Sequence, residues 1–148
     1  VGELASITLL QAAIPASCFG SKGLFHRLIE RNKVSGPIVI THTKNDFCLR
    51  FVYPLINRFS SCIGENGAID IKKDKLSSRN LSMSVRDTSF KFELDGKVHN
   101  VNADEVIYGH CDVWKNALVA SLARSVVKSA STAMWVGLID KQKVFVVV

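Results

Sequence analysis

Gly36-Pro37-Ile38-Val39-Ile40-Thr41-His42-Thr43-Lys44-Asn45-Asp46 is the stretch on which the fold turns. Its apolar run, Ile38 to Ile40, follows a proline and stops at a polar loop ending in Asp46, the pattern of a buried strand feeding a loop. Upstream, Ile7 to Ile14 (ITLLQAAI) is apolar on both faces, as a central parallel strand requires, and Pro15 closes it. Residues 16–23 (ASCFGSKG) are small and glycine-containing, hence a loop. Leu24, Phe25, Leu28 and Ile29 then recur at helical spacing, with Arg27, Glu30, Arg31 and Lys33 on the other side. Ser35-Gly36-Pro37 ends that helix and starts the next strand. Strand, helix and strand form one βαβ unit, for which a right-handed crossover and a parallel sheet are expected. The fold class is therefore α/β: a mostly parallel sheet flanked by helices, in three αβα layers.

Downstream, Cys48, Val52, Leu55, Ile56 and Phe59 predict a helix, with Pro54 starting a new first turn or kinking it. Residues 60–89 are rich in Ser, Gly, Asn, Asp and Lys and read as a long excursion with little structure of its own. Phe90 to Leu94 alternates like a strand, and Asp95-Gly96 is a turn signal. A second apolar run, Val106-Ile107-Tyr108, reads as a strand that empties into Gly109-His110-Cys111-Asp112. Leu118, Leu122, Ala123, Val126 and Val127 predict an amphipathic helix of ~14–16 residues. Met134 to Ile139 and Lys143 to Val148 read as a hydrophobic hairpin or extended tail. This divides the chain into a main unit over 1–130 and a tail over 131–148.

The 148 residues amount to about one domain. Hydrophobic residues make up 47% and charged residues 22%, which suits a globular core and excludes a disordered chain. No run reaches the ~18 apolar residues of a membrane-spanning helix. The net charge is +6, but its Lys and Arg residues are scattered and not interleaved with aromatics, so no specific nucleic-acid partner is expected. The four cysteines, Cys18, Cys48, Cys62 and Cys111, form no CxxC pair, which argues against a zinc ribbon or a dithiol redox site. Reduced, mostly buried thiols in a cytoplasmic protein are expected.

The residues that carry chemistry are Asp46, in the loop after one strand, and His110, after a later one. In an open parallel sheet, side chains just beyond the carboxyl ends of the strands line the ligand crevice. A serine hydrolase needs a hydroxyl to attack the carbonyl, a His to take its proton and a carboxylate to hold the His in the right tautomer. Asp46 suits the last role and His110 the second; the competing readings are a helix-capping Asp and an idle turn His. His42 stands four residues before Asp46 but has no further ligands in sequence, so no metal is expected. His26 and His99 read as surface residues. Ser21 precedes both Asp46 and His110, between a strand and a helix, but Gly20-Ser21-Lys22-Gly23 lacks the first glycine of a GxSxG elbow and reads as a flexible loop. Cys18 reads as a buried thiol, and Cys111 as a thiol close to the site without a required role.

The segment GPIVITHTKNDFCLRFVYPLINRF resembles the GP-hydrophobic-VTH-S/T-x-x-D…YPLxxRL segment of a bacterial group of α/β-hydrolase-fold serine hydrolases. ITLLQAAIP resembles the strand that follows the nucleophile helix in that group, and NVNADEVIYGHCDVW resembles its NxDAxxVIxxHxDI segment. The resemblance implies Asp46 as triad acid and His110 as triad base in an esterase-like enzyme acting on a small ester or acyl substrate without a cofactor. It also implies a GxSxG elbow before the strand matched by Ile7–Ile14. No GxSxG occurs in the 148 residues, so the nucleophile is expected upstream of Val1, and the chain alone is expected to be inactive. As the carboxyl half of such a domain, it would expose a sheet edge prone to self-association. The alternative is a non-enzymatic module that keeps the fold for binding or interaction.

Overall fold

The computed structural model describes residues 4–71, 78–91, 98–135 and 143–147. Among these residues five strands form one sheet: β1 (Leu4–Leu10), β2 (Ile38–His42), β3 (Ser78–Ser82), β4 (Val98–Asn102) and β5 (Lys143–Val147). Their order across the sheet is β3-β4-β2-β1-β5, and every neighbouring pair is parallel. The fold is thus a three-layer α/β arrangement, as the βαβ pattern predicts.

The alternation of side chains along the strands builds a core on each face. Ile7, Leu9, Ile38, Ile40 and Val98 point to one side. There they meet Phe19 of the β1–α1 loop, Leu28 and Ile29 of α1 (His26–Glu30), and a short helix, α2 (Ile63–Asn66). Leu10, Val39 and Val101 point to the other side, onto Val113 of α3 (Asp112–Lys115) and Val119, Leu122 and Val126 of α4 (Ala117–Trp135). The helix predicted from Leu118 to Val127 is real and longer, running on through Met134 and Trp135. The expected helix after Asp46 is also present but divided. Cys48–Val52 is a π-helical turn and Tyr53–Ile56 an α-helical one, with Pro54 in the first turn of the latter. Proline lacks the N–H that a continuing ladder needs, so the register changes where it enters.

Several boundaries differ from those the sequence predicts. β1 runs from Leu4 to Leu10 and ends at Gln11, whose backbone is left-handed (φ 50°), so Ala12 to Ile14 lie beyond the strand. The excursion 60–89 contains α2 and the edge strand β3, with Ile63 and Met83 buried. Val106-Ile107-Tyr108 is not a strand. The strand is β4, Val98–Asn102, and the apolar run follows it in a turn whose Ala103 carbonyl accepts the N–H groups of both Val106 and Ile107. His99 is not at the surface: it is 2% exposed, the second residue of β4. Lys143–Val147 is extended as expected, paired in parallel with β1. The predicted Asp95-Gly96 turn and most of the Phe90–Leu94 strand lie outside the described residues.

Candidate active site

β2 and β4 are neighbours with His42 opposite Asn102, so their carboxyl ends deliver two loops side by side. The first carries Thr43-Lys44-Asn45-Asp46, and the second runs from Ala103 to Cys111. Across them, His110 Nδ1 lies 2.7 Å from Asp46 Oδ2, joining residues 64 apart in sequence. The Asp46 side chain is 0% exposed and that of His110 is 49% exposed. The two residues singled out by the sequence are therefore in direct contact.

An ionised carboxylate only accepts hydrogen bonds, so the proton of this bond belongs to Nδ1 and the neutral imidazole keeps its lone pair on Nε2. The other oxygen, Oδ1, accepts the Leu49 N–H at 3.1 Å, and the Asp46 carbonyl accepts the Arg50 N–H at 3.0 Å. Asp46 thus caps the helical segment after it and orients the imidazole as well. The capping role and the His-orienting role, which compete in the sequence, fall to different oxygens of one side chain.

The loops are tied by residues that motif reading did not single out. Asp104 Oδ1 accepts the Thr43 hydroxyl at 2.8 Å and the Lys44 N–H at 2.9 Å. Asn45 Nδ2 donates to the carbonyls of Asp104 (2.8 Å) and Ile107 (3.0 Å). Asn102 and Asp104 bond reciprocally, side chain to side chain at 3.1 Å and backbone N–H to side chain at 2.8 Å. Further on, Asn116 Nδ2 holds the Val106 carbonyl at 2.9 Å while its Oδ1 accepts the Leu118 N–H at 2.8 Å, capping α4. The only sequence signal for these positions is the density of Asn, Asp and Thr after each strand, which reads equally well as ordinary turn chemistry.

Burial disfavours the charge on Asp104, but hydrogen bonds from the Lys44 N–H, the Thr43 hydroxyl and the Asn102 amide, with His42 nearby, outweigh it and hold its carboxyl below the usual carboxylate range. Burial pushes His42 below the ordinary imidazole value, against the attraction of Asp104. His42 therefore has Asp104 and, acting the other way, Lys44 as charged neighbours, whereas Asp46 is in contact with His110. Among the described residues no group of three or more His, Cys, Asp or Glu side chains is placed to hold a metal ion.

Ser21 lies elsewhere. With Lys22, Asp70 and Ile71 it lines an open surface cavity of about 570 Å³, and neither Asp46 nor His110 is among that cavity's lining residues. Cys18 is buried and its thiol is pushed up to about 12, chiefly by that burial, which makes it a poor nucleophile. Cys62 is buried as well, whereas Cys48 and Cys111 are exposed. His26 is partly exposed and lies 3.8 Å from Glu30. No helix among the described residues is long and apolar enough to cross a membrane. Comparison with family models, with curated proteins and with solved structures gave no match.

Proposed function

We propose that this chain carries the acid and the base of an esterase-like serine hydrolase, with the nucleophilic serine supplied by sequence preceding Val1. The observation that carries the proposal is the 2.7 Å contact between His110 Nδ1 and a fully buried Asp46, with the imidazole half exposed. A carboxylate out of water behind a solvent-accessible imidazole is the arrangement a general base needs. Neighbouring parallel strands that present an acid and then a His at their carboxyl ends also agree with the chain order of an α/β-hydrolase.

In this scheme the serine hydroxyl attacks an ester carbonyl and passes its proton to His110 Nε2. The Asp46 carboxylate stabilises the imidazolium, which then protonates the departing alcohol. Water repeats the cycle on the acyl-enzyme: His110 takes its proton, the acid is released and the serine is regenerated. No cofactor is required. We also assign the protein to a reducing, cytoplasmic setting, since none of its four cysteines is paired. Among the described residues β5 is an edge strand, and its outer edge would serve self-association.

The test is labelling by a fluorophosphonate probe of this chain and of the longest natural polypeptide that contains it, each with and without His110→Ala. The expected result is labelling of the longer polypeptide alone, lost in the variant. Labelling of the 148 residues themselves would place the nucleophile within them, Ser21 first. Absence of labelling in both would overturn the hydrolase proposal in favour of a non-enzymatic binding module.

A further inference from the structure

We infer that Asn45, with Thr43 and Asp104, is a positioning unit that sets the geometry of the Asp46–His110 pair. Its relevance to catalysis rests on the hydrolase proposal; its structural content does not. The sheet alone cannot fix this pair. The β2–β4 ladder ends at His42 opposite Asn102, with one further bond from the Ala103 N–H to the His42 carbonyl at 2.8 Å. Beyond that the chains leave the sheet, and His110 lies seven residues past Ala103. Loops are the parts of a fold that open most readily, whereas a working constellation must be held to within ~0.5 Å.

Asn45 spans that gap. It immediately precedes Asp46, and each of its two amide hydrogens reaches a carbonyl on the opposite loop, those of Asp104 and Ile107. Ile107 is three residues before His110, so one side chain ties together the backbone flanking both members of the pair. Thr43 secures Asn45 in turn: its hydroxyl oxygen accepts the Asn45 N–H at 3.1 Å, and its proton goes to Asp104 Oδ1. Thr43 is buried, and its own N–H is held by the Gly64 carbonyl at 2.9 Å. The unit is thus anchored to α2 at Thr43, directly after the end of β2, charged at Asp104 and joined to the pair at Asn45. Charge-assisted bonds such as those to Asp104 are the stronger kind.

The readout is the His110 Nδ1 proton, observed by NMR on the nitrogen-15-labelled chain. Held between Nδ1 and a buried carboxylate, it gives a downfield, slowly exchanging signal. Asn45→Asp keeps the size of the side chain but replaces its two donors by an acceptor, and Thr43→Val removes the hydroxyl. Both are expected to lose that signal while the β1, β2 and β4 amides keep their positions. Thr43→Ser, which restores the hydroxyl, is expected to retain it, as is Lys44→Ala, which leaves the Lys44 N–H in place. If Asn45→Asp fails to fold, the Thr43→Val and Thr43→Ser comparison decides. An unchanged Nδ1 signal in folded Asn45→Asp or Thr43→Val would overturn the inference. This outcome is separable from the labelling test: a pair sensitive to Asn45 in a polypeptide that takes no probe would refute the hydrolase proposal and leave the positioning unit intact.

Discussion

Each oxygen of Asp46 has its own neighbour, Oδ2 the His110 imidazole and Oδ1 the Leu49 N–H, and substitutions separate the two. In Asp46→Asn the Leu49 N–H selects the amide oxygen, so the amide nitrogen faces His110 and donates into Nδ1. The imidazole proton then moves to Nε2, the nitrogen that general-base catalysis needs free. Stability should stay near that of the parent, while activity of the nucleophile-containing polypeptide should fall on the order of 10⁴-fold, the cost of the wrong tautomer in a serine-hydrolase triad. Asp46→Ala loses the cap as well and should be less stable by about 1 kcal/mol. Urea midpoints together with imidazole nitrogen shifts check both. Equal stability of the Asn and Ala variants, or a parent-like tautomer in Asp46→Asn, would contradict this division of labour.

Among the elements, α4 depends on one residue for both its start and its seat. Asn116 Oδ1 caps the helix through the Leu118 N–H, and Asn116 Nδ2 holds the Val106 carbonyl of the loop that leads to His110. Asn116→Ala should cost about 1–2 kcal/mol through the lost cap. Asn116→Asp keeps an acceptor for Leu118 but puts a carboxylate against the Val106 carbonyl, so it should loosen the loop more than the helix. Hydrogen exchange resolves the two: faster exchange in α4 for the Ala variant, faster exchange confined to residues 104–111 for the Asp variant. The same elements explain what could be read from sequence. β2 was legible because its apolar run is continuous and bounded by Gly36-Pro37 and a polar loop. β4 was not, because VHNVN carries polar residues that are nevertheless buried. Asn100, for instance, is satisfied by exchanging hydrogen bonds with both backbone groups of Ala68. The apolar run after it, Val106 and Ile107, is equally buried but in a turn, where a strand and a packed loop look alike by composition. β3, with the sequence SRNLS, is a polar edge strand with no apolar pattern to announce it. Asp46 and His110 were legible because each stands in a polar loop after an apolar run. Thr43, Asn45 and Asp104 were not, since Thr, Asn and Asp after a strand read equally well as ordinary turn residues.

For the molecule as a whole, an all-parallel sheet places every carboxyl end on one edge, and the titratable groups gathered there make global stability depend on pH. His42 is held below its ordinary value of 6.5 by burial. As the pH falls past that value the unfolded chain takes up a proton at this position while the folded chain resists, so proton uptake favours unfolding and stability drops. Asp104 is shifted in the same direction, although there it is the charged form that the fold favours. Its folded value lies below the ordinary 3.8, so its contribution is complete above that value and is lost as the pH falls through the folded one. Two losses are therefore expected on acidification, one beginning near neutrality and one below about pH 4. Urea midpoints at about pH 8, 5.5 and 3 bracket them. His42→Gln should flatten the first interval relative to the parent, and Asp104→Asn, less stable at every pH because it weakens the bonds to Thr43 and Lys44, should flatten the second. A parent midpoint that is level from pH 8 to 5.5, or a first interval unaltered in His42→Gln, would mean that burial of His42 is not what couples this edge of the sheet to protons.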